Sequence, residues 1–306
     1  MFSHRPVLLN EVIAGLAIKP EGIYIDGTAG GAGHSIEIAK RLTTGRLIAI
    51  DQDPDAVKAA GERLSPFPNA QVVHSRYSKL PQVLDDLGIA LVDGVLLDIG
   101  VSSHQLDTAE RGFSFHSESI LDMRMSQNGP TAADLVNTKP HGELTRILRD
   151  YGEEPFAFKI AAAICKAREE APITSTLQLA EIIKWAVPAK ARRDGHPARK
   201  SFQAIRISLN MELEELENGL VGAFERLKAG GRLAVITFHS LESRICKRQM
   251  AEWCKGCDCP PEFPVCVCNK KPQAKLITRK PIEPSPMELE ENPRSRSSLL
   301  RVCEKI

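Results

Sequence analysis

Short, β-branched apolar runs alternate with stretches of helical spacing through the first third of the chain. Ile23 to Ala29, Arg46 to Asp51, Gln71 to Ser75 and Val92 to Asp98 read as strands, and Ser35 to Leu42 and Asp55 to Leu64 as helices. Runs without a polar alternation suit strands buried on both faces, so the order β-α-β-α-β-α-β predicts a doubly wound parallel sheet. After Asp98 the rhythm changes. No parallel strand is legible until Gly231 to Phe238, and helices fill the gap. Thr131-Ala132-Ala133-Asp134 reads as a capping-box start, Pro155 as a first-turn residue ahead of a helix over Phe156 to Arg168, and Leu177 to Val187 as a helix stopped by Pro188. Leu209, Leu213, Leu216 and Leu220 form one helical stripe, predicted to end at Gly230-Gly231 and to return the chain to the sheet. Lys275 to Lys280 and Ser297 to Cys303 read as an antiparallel hairpin at the sheet edge, joined by a Pro- and Glu-rich loop, Pro281 to Pro293. The expected organisation is an α/β domain in two parts, residues 1–105 and 208–306, around an all-helical insertion at 106–207.

The turn after the first strand carries the most specific chemistry. Asp26-Gly27-Thr28-Ala29-Gly30-Gly31-Ala32-Gly33-His34-Ser35 joins a strand to a helix through glycines, which let the backbone take left-handed angles and come close to a ligand at the free helix N–H groups. Asp51 closes the next strand where ribose hydroxyls are held in mononucleotide-binding folds, so an adenosine-bearing cofactor is implied. A dinucleotide fingerprint would need glycine where Ile36 stands, and a P-loop would need a lysine among residues 27–33. Both NAD and ATP chemistry recede, and S-adenosylmethionine fits better. Asp98 ends the fourth strand as Asp26 and Asp51 end the first two, and strand ends of one open sheet face one crevice.

Charge narrows the partners only locally. Forty basic and thirty-nine acidic residues give a net charge of +1, so any nucleic-acid site depends on clustering. The densest basic run is Lys190-Ala191-Arg192-Arg193-Asp194-Gly195-His196-Pro197-Ala198-Arg199-Lys200, a candidate phosphate contact. The N-terminal residues lack a signal-peptide core and no apolar run is long enough to span a bilayer, which predicts a cytoplasmic protein with reduced cysteines.

Motif after motif, the chain resembles the bacterial small-subunit ribosomal RNA cytosine-N4 methyltransferases. The resemblance is carried by His4-Arg5-Pro6-Val7-Leu8-Leu9-Asn10-Glu11, the glycine turn through Ser35, Ala49-Ile50-Asp51-Gln52-Asp53-Pro54 and Leu97-Asp98-Ile99-Gly100-Val101-Ser102-Ser103. It continues through Gln105-Leu106-Asp107, Leu121-Asp122-Met123-Arg124-Met125, Tyr151-Gly152-Glu153-Glu154, His196-Pro197-Ala198, Phe202 to Ile207 and Phe238-His239-Ser240-Leu241-Glu242. It implies a Rossmann-like methyltransferase sheet whose helical insertion binds RNA, and transfer of a methyl group from S-adenosylmethionine to a cytosine in the decoding centre. The implied partner is the small-subunit RNA within the assembled subunit. The implied cofactor contacts are Ala32, Gly33, His34, Asp51 on the ribose, Tyr77 beside the adenine, Asp98 and Gln105. Asp98 is the candidate catalytic acceptor for the amine hydrogens, although Ile99-Gly100-Val101 replaces the Pro-Pro-aromatic run common in amino-methyltransferases. Another RNA or a protein as acceptor, or an assembly factor without turnover, are the alternatives.

No cysteine suits the covalent route to pyrimidine C5: Cys165 reads as core within a helix, and Cys246 follows the His239-Ser240 motif but lacks a Pro-Cys setting. Cys254, Cys257, Cys259, Cys266 and Cys268 stand apart from the family's motifs. Their spacing admits either a tetrahedral zinc site with one cysteine left over or a loop of reduced thiols.

Overall fold

The computed structural model describes residues 6–194, 196–260 and 265–306, with the side chains of 191, 193 and 194 also outside the described set. His4 and Arg5 of the first motif, and Gly195 with the Arg193 side chain of the basic run, lie outside the described residues. The chain divides into two compact units, one made of 1–100 with 213–306 and the other of 101–212.

In the first unit, α1 (Leu9–Leu16) leads into β1 (Ile23–Asp26), α2 (Gly33–Ala39), β2 (Arg46–Asp51), α3 (Pro54–Leu64), β3 (Ala70–His74), α4 (Leu80–Asp86) and β4 (Val92–Asp98). The predicted alternation is present, and β2 and β4 have the predicted bounds. These runs are ringed by charged or turn residues and every interior position is buried, so pattern and packing coincide. The first strand stops at Asp26 rather than Ala29, because the glycine turn starts there.

In the second unit, α5 (Ser103–Asp107), α6 (Ala132–Thr138), α7 (His141–Gly152), α8 (Ala157–Glu170), α9 (Thr176–Ala186) and α10 (Arg199–Asn210) surround a core of their own, including Leu144, Ile147, Ile160, Ile164, Ile183 and Ile205. Thr131 makes the predicted capping box, its hydroxyl accepting the Asp134 N–H at 3.1 Å while the Asp134 carboxylate accepts the Thr131 N–H at 2.7 Å. Pro155 lies outside α8: Phe156 is the N-cap, its N–H held by the Glu154 carboxylate at 3.0 Å. The helix of α7 was not read from the sequence.

The chain returns through α11 (Glu212–Glu225), β5 (Leu227–Thr237), α12 (Ser240–Cys254), β6 (Ala274–Leu276), α13 (Pro286–Glu291) and β7 (Leu299–Lys305). The predicted leucine stripe is divided. Met211 takes a left-handed φ of 54° and ends α10, so Leu209 packs in the helical core while Leu216 and Leu220 pack under the sheet. Gly230-Gly231 do not end a helix but lie inside β5. Val92 pairs with Leu227 and Gly94 with Arg232, so residues 228–231 loop out of register, and Gly230 at φ +77° makes the turn.

The sheet order is β3-β2-β1-β4-β5-β7-β6, parallel from β3 to β5, with β7 antiparallel to both β5 and β6. The predicted edge hairpin is therefore present, and the loop before β7 contains α13. After β3 the chain crosses back over β1 to form β4, which makes the β1/β4 boundary a topological switch point. Ligands of open α/β sheets bind outside the strand C-termini at such points.

Candidate active site

The turn leaving β1 is stitched to both neighbouring strands. Gly27 N–H donates to Leu96 O and Ala29 N–H to Ile50 O, each at 2.9 Å. Asp51 then fixes the glycines: one carboxylate oxygen accepts the Gly30 N–H at 2.8 Å and the other the Asp53 N–H at 2.9 Å. Gly30 has φ +49°, an angle that costs a side chain about 1 kcal/mol. Each Asp51 oxygen keeps a lone pair for a ligand hydroxyl. Gly33 opens α2 against Pro6, where an added Cβ would sit within 3.3 Å of the proline Cδ and closer to its Cγ.

Beneath this turn lies a set of acids, Asp26 buried and Asp51 and Asp98 partly so. Asp26 accepts from the Ser35 hydroxyl at 2.6 Å and the Thr28 N–H at 3.2 Å, and Thr28 Oγ1 accepts the Asp98 N–H at 2.7 Å. Burial raises the Asp26 carboxyl above its ordinary range and pushes Asp51 up to about 6, against the downward pull of the Asp53 and Gly30 N–H groups. Asp98 is pushed up to about 8, first by burial and then by the negative charges of Asp26 and Glu242. Its Oδ1 is buried and has no hydrogen-bond partner among the described residues. Its Oδ2 lies 3.7 Å from His34 Nδ1. Because His34 Nε2 is 2.9 Å from the Val7 carbonyl, Nε2 carries the proton, and burial depresses the ring's basicity, so a neutral Nδ1 faces the carboxyl.

Glu242 comes from the far side of the switch point. At the start of α12 it accepts the N–H groups of Phe238 (2.7 Å) and His239 (3.2 Å), with His239 Nε2 3.0 Å from its other oxygen. Sequence reasoning quoted its motif without giving Glu242, His239 or Thr28 a role. The His239-x-x-Glu242 spacing of a capping box was the available signal for the first two.

Of the predicted contacts, Ala32, Gly33, His34, Asp51 and Asp98 come together around this turn. Tyr77 lies in a 3-10 helix, Tyr77–Lys79, with its ring against Gly219 of α11: an added Cβ there would sit 2.5 Å from Tyr77 Cε2. Gln105 belongs to the second unit and caps α5, its side-chain oxygen accepting the Ser102 N–H at 3.0 Å. In the basic run, Arg192 lies 4.7 Å over the ring of Trp185 and donates to Val187 O at 2.9 Å, while Lys200 donates to Glu153 O at 3.1 Å. Trp185 itself is 68% exposed, with Lys184 5.5 Å from its ring centroid.

A parallel sheet closed by an antiparallel pair of strands, with a glycine turn after β1 and carboxylates ending β2 and β4, defines a Rossmann-like methyltransferase. The residues fit the nucleoside methyl donor of that class. The glycine turn brings backbone to a ligand, Asp51 offers ribose acceptors, and Asp98 holds a buried oxygen in need of a donor. The chain belongs to the MraW methylase family, which matches it over residues 1–306. It is 57% identical over 309 residues to a ribosomal RNA small subunit methyltransferase H of Lachnospira eligens, covering 100% of this chain and 98% of that protein. Proteins of the same name from Symbiobacterium thermophilum (54%, 100% and 97% covered) and Carboxydothermus hydrogenoformans (55%, 100% and 98% covered) are comparably similar. The resemblance read from the motifs is borne out, and with it an S-adenosylmethionine-dependent ribosomal RNA methyltransferase. No helix among the described residues is long and apolar enough to cross a membrane.

Proposed function

We propose that this chain methylates N4 of a cytosine in the decoding centre of small-subunit ribosomal RNA, acting in the cytoplasm on the assembled subunit. The observation that carries the reading is end-to-end likeness to relatives named for small-subunit RNA methylation. At the site, the Oδ1 of Asp98, which has no partner among the described residues, supports an acceptor for an amine.

The bound donor supplies an electrophilic methyl group on a sulfonium. Everything else falls to the chain. The cytosine amine is a poor nucleophile because its lone pair is delocalised into the ring. Asp98 in its ionised form accepts an amine hydrogen at Oδ1, localises the lone pair, and takes up the proton that nitrogen releases on methylation. A carboxyl held near 8 is basic enough for that step. His34 Nδ1, 3.7 Å from Oδ2 and without a proton to give it, leaves the charge of the carboxylate uncompensated. Asp51 and the glycine turn fix the ribose, and Ala32, Gly33, Tyr77 and Gln105 complete the proposed cofactor contacts. In the second unit, the exposed Trp185 with Lys184 and Arg192 suits stacking on an unpaired base beside phosphate, so this unit, 101–212, is the proposed RNA-binding domain.

The test is nucleoside mass analysis of small subunits from cells lacking the protein, before and after treatment with purified enzyme and donor. One N4-methylcytidine should be missing and then restored. A restored C5-methyl mark, or none, refutes the reading.

A further inference from the structure

Among its described residues, the segment between α12 and β6 has no core of its own. None of its described residues, 255–260 and 265–273, is buried, and Val265 and Val267 are 70% and 66% exposed. Yet four of its side chains converge. The sulfurs of Cys257, Cys259, Cys266 and Cys268 all lie within 4.8 Å of one another. Cys257 and Cys266 are 3.4 Å apart, Cys266 and Cys268 3.5 Å, Cys257 and Cys268 3.7 Å, and Cys259 and Cys266 4.0 Å.

From these distances we propose that the four cysteines form a structural zinc site, independent of the methyl-transfer site. Zinc–sulfur bonds of about 2.3 Å place tetrahedral sulfurs ~3.8 Å apart, the separation seen here. A disulfide needs about 2.05 Å, and no pair approaches it. Several bridged irons would spread the sulfurs further. Backbone donors favour the thiolate form: the N–H of Asp258 points to Cys268 Sγ (3.3 Å), that of Cys259 to Cys257 Sγ (3.4 Å) and that of Val267 to Cys259 Sγ (3.3 Å). Lys255 and Lys270, which pair with Asp258 at 2.7 and 2.9 Å, bring positive charge to a site that is doubly negative when loaded. Cys254 is the cysteine left over: it ends α12 and packs against the sheet's core. With all four positions filled by protein, the metal has no open coordination site and its work is to staple a coreless loop.

Metal analysis of the full-length protein, purified under reducing conditions from cells grown with zinc, should find about one zinc per chain. Cys257→Ser and Cys266→Ser should lose it while Cys254→Ser keeps it. Cobalt substituted for zinc should show thiolate-to-metal charge transfer, and chelation should make residues 255–273 the preferred site of proteolysis while the rest of the chain stays resistant. Absence of metal, iron in its place, oxidised thiols in the reduced preparation, or equal loss in Cys254→Ser would each overturn the assignment. Because these readouts do not involve turnover, they stand or fall apart from the proposed RNA substrate.

Discussion

Asp98 concentrates the chemistry of the site into one titration. Its carboxyl stands near 8 where an unfolded aspartate stands at 3.8, so between those values the folded chain holds a proton the unfolded chain has lost. Stability therefore falls as pH rises through that window, and the penalty is complete above pH 8. Asp98→Asn removes the penalty. Its melting temperature should exceed that of the parent, by a margin that grows from pH 4 to pH 8, about 2–4 °C for each kcal/mol relieved. The same substitution should cost about 100-fold or more in kcat while calorimetry still detects donor binding. For the parent, log kcat/KM should climb with pH and level off near 8 if the ionised carboxyl is the acceptor, as proposed. A flat profile would remove Asp98 from the proton path. Asp51→Ala acts differently. It releases the Gly30 and Asp53 N–H groups as well as the proposed ribose acceptors, so donor affinity should fall roughly 10- to 100-fold, read by calorimetry. The identity of Asp98 as a strand-end acid was legible from the sequence, but its basicity was not. Asp26 and Glu242, whose charges raise it, come from distant parts of the chain.

At the scale of elements, legibility followed how local the governing forces are. The strands β2 and β4 are apolar runs bounded by charge, and a sheet covered on both faces leaves such runs nowhere else to go. The capping box at Thr131 was equally plain because its two hydrogen bonds close within one turn. Thr131→Ala should cost about 1 kcal/mol of stability, measured by denaturant unfolding, with the donor site untouched. The leucine stripe from Leu209 to Leu220 misled because its helical period runs unbroken through Met211. Only packing reveals the division: the residues before the break belong to one core and those after it to another, and the left-handed Met211 turns the chain between them. The pair Gly230-Gly231 likewise has the look of a helix end, whereas pairing of β5 with β4 absorbs it as an irregularity in a strand.

At the scale of the whole molecule, the proposed donor contacts other than Gln105 belong to the unit 1–100 with 213–306, and the exposed aromatic and basic groups proposed for RNA reside in 101–212. Replacing Trp185 and Arg192 together by alanine should weaken binding to small subunits and lessen its dependence on salt, as measured by filter binding over a salt series, while donor affinity stays unchanged. An unaltered salt slope would place the RNA contact elsewhere. The amino-acid sequence by itself determined the alternating strands and helices, the glycine turn and the acids that end β1, β2 and β4, because periodicity, turn chemistry and capping act over a few residues. Tertiary structure alone decided the proton affinity of Asp98, the break at Met211 and the meeting of four sulfurs out of five cysteines. The first two depend on groups remote in the chain, because burial and Coulomb interaction answer to distance in space. The four cysteines are close in sequence, and it is the packing of Cys254 against the sheet's core that decides which one is left out.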